Sequence, residues 1–120
     1  MDIHAVRRSF IAFHLTLGVV VLVQSLITVL HASHAGDPNR ALAVFAGAEA
    51  VAAVLFLLPA TLRAGASALL LIFAAAVTFH ALHGELQSTL LVYAAGVVLV
   101  MAHGSAFGKA SPRRRGRAAA

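Results

Sequence analysis

Glu49 is the one formally charged residue inside four long apolar stretches of this 120-residue chain. An ionisable side chain in such a place costs about 2.5–3.5 kcal/mol on insertion scales, and it usually faces a partner or a cavity. Two chemistries suit it. The first is a proton-carrying, quinone-contacting or ligand-binding carboxyl. The second is an interhelix hydrogen-bonding group, with Gln24, Ser25 or Thr28 of the first stretch as partners. Glu49, Gln24 and Thr28 together are the candidate ligand or proton site.

Histidine supplies the other candidate chemistry, with seven residues in the chain. Two His-Ala-x-His segments stand out, His31-Ala32-Ser33-His34 and His80-Ala81-Leu82-His83. Residues at i and i+3 on a helix are neighbours, so each pair can point one way. Four imidazoles with Glu85 beside them could hold zinc, copper or nickel. Two at equal depth, such as His31 and His80, could instead ligate a b-type haem. The competing reading is interfacial, with an apolar ring body and a polar tip at headgroup level. His14 lies among small residues and is expected to hydrogen-bond a neighbouring helix.

Other chemistries are absent from the sequence. With no cysteine, there is no disulfide, thiolate metal site or thiol nucleophile. No phosphate-cradling glycine loop, nucleophile elbow or paired catalytic carboxylates occur, which disfavours a self-contained hydrolase or kinase.

The elements that must position these residues follow from composition. Apolar residues make up 61 % of the chain and charged residues 11 %, and the mean hydropathy is +0.93. A soluble domain averages about 45–50 % and about 25 %, and so small a globule cannot bury such an excess. The apolar stretches are 9–30, 41–60, 64–82 and 86–103. Each approaches the roughly 20 residues that cross a bilayer as a helix. Turn and breaker residues separate them: Gly36-Asp37-Pro38-Asn39, then Pro59 to Arg63, then His83-Gly84-Glu85. The expected fold is all-α, a polytopic membrane protein built as an up-down-up-down four-helix bundle over residues 1–103.

Helices in lipid pack through small and polar residues. At helical spacing the expected seams are His14, Gly18, Val21, Ser25 and Thr28 in the first span. The second offers Ala46, Glu49, Ala53, Phe56 and Ala60, and the third Ala66, Leu69, Phe73, Ala76 and His80. The fourth offers Glu85, Thr89, Val92, Gly96, Leu99 and His103.

Of the nine basic residues, Arg40 alone falls on the side away from the first residues. Arg7, Arg8, Arg63, Lys109, Arg113, Arg114, Arg115 and Arg117 fall on the other. By the positive-inside rule both termini are expected in the cytoplasm, in a bacterial-type inner membrane. Arg7-Arg8-Ser9-Phe10-Ile11 is also similar to a twin-arginine export pattern. The apolar run behind it exceeds the about 7–15 residues of a cleaved signal, so the first span is expected to be retained. Residues 104–120 read as a disordered basic tail. Its Arg113, Arg114, Arg115 and Arg117 would contact anionic lipid at about 1 kcal/mol each. Nucleic acid is not an expected partner, because no folded recognition module accompanies the charge.

From Ala41 to His103 the chain resembles the DoxX-like family of small four-helix membrane proteins. The resemblance rests on Gly47-Ala48-Glu49, on Leu57-Leu58-Pro59-Ala60-Thr61-Leu62-Arg63-Ala64, and on an Ala-rich third span closing on His80. It implies a membrane partner in redox or detoxification chemistry. The expected function is a non-catalytic subunit of a redox-linked membrane assembly, joined to other membrane subunits or to its own copies. The alternatives are a haem- or transition-metal-binding protein using the histidines, and a small transporter or proton-conducting oligomer built around Glu49.

Overall fold

The structure is a computed structural model and describes residues 2–34 and 40–103. The Gly36–Asn39 turn and the basic segment 104–120 lie outside the described residues. The described residues form four helices: α1 (Ile3–His34), α2 (Arg40–Leu57), α3 (Leu62–Leu82) and α4 (Ser88–His103). The first three are each long and apolar enough to cross a membrane, while α4 is a shorter apolar helix. The 32 residues of α1 rise about 48 Å, well beyond the roughly 30 Å of a hydrocarbon core.

Each boundary has a local cause. Asp2 starts α1: its Oδ1 accepts the His4 backbone N–H at 3.2 Å, and its carbonyl accepts from Ala5 and Val6. Pro59 stops α2 because it has no N–H to donate. Gly84 stops α3 at φ +79°, a left-handed conformation that favours glycine. There the Gly84 N–H reaches the Ala81 carbonyl at 3.1 Å and the Glu85 N–H reaches the His80 carbonyl at 2.9 Å. That pattern is a Schellman motif.

Helix α1 packs on α2, α2 on α3 and α3 on α4, while α1 meets α4 along a thinner seam. The largest fully buried side chains are Phe56, Phe73, Leu69, His14, Val21, Val97, Val100 and Ser25. The seams expected on α1, α2 and α3 are largely those found, since His14, Gly18, Val21, Ser25, Ala46, Ala53, Phe56, Ala66, Leu69 and Phe73 are all buried. Three differences stand. Ala60 lies beyond Pro59, off the helix and exposed. Leu86 and Gln87 belong to the connection before α4. The face of α4 is rotated from expectation: Gly96, Val97 and Val100 are buried, while Val92 is 68 % and Leu99 45 % exposed. The expected stripe followed Glu85, Thr89 and His103, which sit near the ends of the segment, all exposed. The middle of α4 instead turns its smallest and β-branched residues inward, with Tyr93 against Phe73 at a ring separation of 6.4 Å.

Candidate functional site

The broken end of α2 is the most densely organised polar feature. A helix leaves its last carbonyls without intrahelical partners, and Pro59 removes the donor that Leu55 would use. Thr61 Oγ1 donates to the Leu55 carbonyl at 2.9 Å. His14 Nε2 of α1 lies 2.9 Å from the Phe56 carbonyl. A carbonyl only accepts, so Nε2 carries the hydrogen in this contact. The His14 ring meets the Phe56 ring edge-on, with centroids 4.6 Å apart. Two side chains thus complete two successive carbonyls, one of them from another helix. The interhelix bond expected of His14 is present. Residue types alone mark neither Thr61 nor the Phe56 carbonyl as functional. The signal for both was Pro59, which leaves backbone acceptors open behind it.

Glu49 is half-buried on α2, with its carboxyl within hydrogen-bonding reach of the Ser25 side chain on α1. The single Ser25 hydroxyl hydrogen goes to the Val21 carbonyl at 2.8 Å, so a bond between Ser25 and Glu49 is one that a protonated Glu49 donates to the Ser25 oxygen. The other two expected members are placed differently. Thr28 donates to the Gln24 carbonyl of its own helix at 3.0 Å, and the Gln24 side chain is exposed. Helices α1 and α2 therefore bring together Glu49 and Ser25.

The histidine cluster is not assembled. Among the described residues, no three or more His, Asp or Glu side chains come together as a metal-binding group. His31 Nδ1 donates to the Ile27 carbonyl at 3.0 Å and His34 Nδ1 to Leu30 at 2.6 Å. His83 Nδ1 donates to Phe79 at 2.7 Å. Each ring curls onto its own helix instead of reaching across to another. This local option is open to any polar side chain four residues after a helical carbonyl. His80 and Glu85 do meet, at 3.6 Å, because the Schellman turn folds Glu85 back over the end of α3. His31 and His80 stand on α1 and α3, a pair of helices that is not among the main packing pairs of the described residues.

The class these observations define is an all-helical protein whose described residues form four helices, three of them capable by length and composition of crossing a membrane. No family model, curated protein or solved structure matches the chain.

Because Glu49 and Ser25 tie α1 to α2, Glu49→Leu is expected to lower stability by about 0.6 kcal/mol and at most about 1.7 kcal/mol, the range of interhelix hydrogen bonds in membranes. Glu49→Gln, which still hydrogen-bonds, is expected to stay within experimental error of the parent. Thermal unfolding in a mild detergent measures both. A Glu49→Leu protein as stable as the parent would remove the structural role.

Proposed function

We propose that this chain is an integral membrane protein with four spans running up-down-up-down. In this reading it is a non-catalytic subunit of a redox-linked assembly in a bacterial-type inner membrane, with both termini cytoplasmic. One observation carries the membrane reading. Eight polar side chains turn back onto the backbone of the helix they belong to: Ser25 to Val21, Thr28 to Gln24, Ser33 to Val29, Thr78 to Ala74 and His103 to Leu99, besides the three histidines above. Polar groups without water must find partners within the protein. Meanwhile Val19, Val23, Leu26, Ile27, Val44, Val51, Leu71, Val98 and Leu99 are exposed, as suits a surface solvated by acyl chains.

The pairings support the alternating topology. His14 meets Phe56 while Ser25 meets Glu49, so α1 and α2 run in opposite directions. Phe10 meets His103 while Leu17 lies against Gly96, so α1 and α4 do too. The basic asymmetry sets the orientation. The subunit role rests on the DoxX-like resemblance over Gly47–Glu49 and Leu57–Ala64, with Glu49 as the carboxyl that would serve a quinone or a partner chain.

The absence of cysteine makes single-cysteine topology mapping clean. His4→Cys and Glu85→Cys are expected to label from opposite faces of sealed vesicles, and labelling from one face overturns the four-span arrangement. The subunit role is tested by gentle purification of the full chain from its native membrane. The expected result is stoichiometric co-purification with a chain bearing flavin, haem or iron–sulfur absorbance. A chain that elutes alone, with normal redox activity in membranes lacking it, overturns that role.

A further inference from the structure

The seam between α1 and α4 is thin, and a groove of about 220 Å³ opens along it. Its walls are Phe13, Thr16, Leu17 and Val20 from α1 and Val92 and Tyr93 from α4. At one end Leu17 and Phe13 close against Gly96. Below that end the Phe10 and His103 rings meet at a tilt of 43°, with centroids 5.3 Å apart. One turn further along α1 comes Arg7, which is exposed. At about 100° per residue, Arg7 stays within about 80° of Phe10 and Leu17 on the helix surface, whereas Arg8 falls about 160° from Phe10.

We propose that this groove seats an acyl chain of an inner-leaflet anionic phospholipid, whose phosphate is held by Arg7 beside the Phe10–His103 pair. The proposal rests on the membrane reading above. Two features of the groove and its surroundings select a lipid. The groove is lined almost wholly by carbon, so water does not fill it and a hydrocarbon chain does. Arg7 lies beyond the groove, about 9 Å along α1 from Phe13, on the side carrying eight of the nine basic residues, and its charge is complementary to a phosphate. Length fits as well. From Arg7 to Val20 the helix rises about 20 Å, and one leaflet with its headgroups is half of about 40–45 Å. A chain reaching from a phosphate at Arg7 to the level of Val20 therefore spans a single leaflet.

The protein carries its own reporter, since Tyr93 is the only tyrosine and there is no tryptophan. The full chain is reconstituted in phosphatidylcholine vesicles containing an increasing mole fraction of either brominated phosphatidylglycerol or brominated phosphatidylcholine. Bromine on an acyl chain in the groove quenches Tyr93. The expected result is half-quenching at a roughly fivefold lower mole fraction of the anionic lipid, the enrichment one basic residue gives near a charged surface. Arg7→Gln is expected to abolish that preference, Arg8→Gln to leave it, and Thr16→Phe, which fills the groove, to reduce quenching by both lipids. Equal quenching by the two lipids in the parent protein overturns the proposal. So does an equal loss of preference in Arg7→Gln and Arg8→Gln, which would mean diffuse surface attraction alone. Quenching by neither lipid overturns the membrane reading, and the lipid site with it.

Discussion

Gly65→Ala is expected to destabilise the protein more than a methyl added at any other described glycine. A Cβ there would stand 2.5 Å from the Leu55 carbonyl carbon and 2.6 Å from Phe56 Cα, and closer still to the Phe56 nitrogen. All three are backbone atoms of α2, held by the helix, so none can rotate away. Overpacking of this kind costs about 1–3 kcal/mol, occasionally more, and here the upper end applies because α3 would have to lift off α2. The other glycines grade the effect. At Gly18 the obstacle is the Leu57 side chain, and at Gly96 it is Leu17 Cδ2 at 2.9 Å; both can move. At Gly47 nothing lies within 4 Å. Alanine there should be neutral or stabilise by up to about 1 kcal/mol through helix propensity. Unfolding midpoints of the four Gly→Ala proteins in one detergent measure the series. Equal midpoints for Gly47→Ala and Gly65→Ala would refute the close crossing of α2 and α3.

The same crossing shows what could be seen in the residues beforehand. Small and polar residues at helical spacing marked the inner faces of α1, α2 and α3 because those residues run through the middle of each helix. His14, Gly18, Val21 and Ser25 needed no knowledge of their partners to be placed on one seam. Helix α4 defeated the same reasoning. Its polar residues sit near its ends, where backbone groups and the interface solvate them, and its middle offers several apolar faces of equal merit. Contact with Phe73 and Leu17 decides among those faces, and that information is not local to α4.

The candidate sites divide along a similar line. His-Ala-x-His segments fix which residues are near each other on one helix, but they do not say whether an imidazole reaches outward or back. His31, His34 and His83 take the backbone carbonyl four residues earlier, a partner guaranteed by any helix. The Glu49–Ser25 contact was foreseeable, because both residues fall on seams that must face something. The paired carbonyls behind Pro59 were not. A backbone acceptor leaves no mark in the residue types, and the donor that reaches it comes from 42 positions away in the chain.

That donor carries the second large effect. His14→Leu is expected to destabilise the protein by about 1–3 kcal/mol, the cost of leaving a buried acceptor without its partner. Leucine keeps much of the ring's volume, so the loss reports the Phe56 carbonyl and not a cavity alone. Thr61→Val makes the parallel change at the Leu55 carbonyl. It is expected to lower stability less, because Thr61 is only partly buried and solvent or lipid headgroups can reach its acceptor. The two carbonyls are adjacent and end the same helix, so the losses should not add; coupling in such shared networks runs about 0.5–3 kcal/mol. Hydrogen exchange locates the damage. In His14→Leu, protection should fall first in the last turn of α2, at the amides of Phe56 and Leu57, and later in α4. If His14→Leu unfolds at the parent's midpoint with α2 fully protected, His14 does not hold the end of α2.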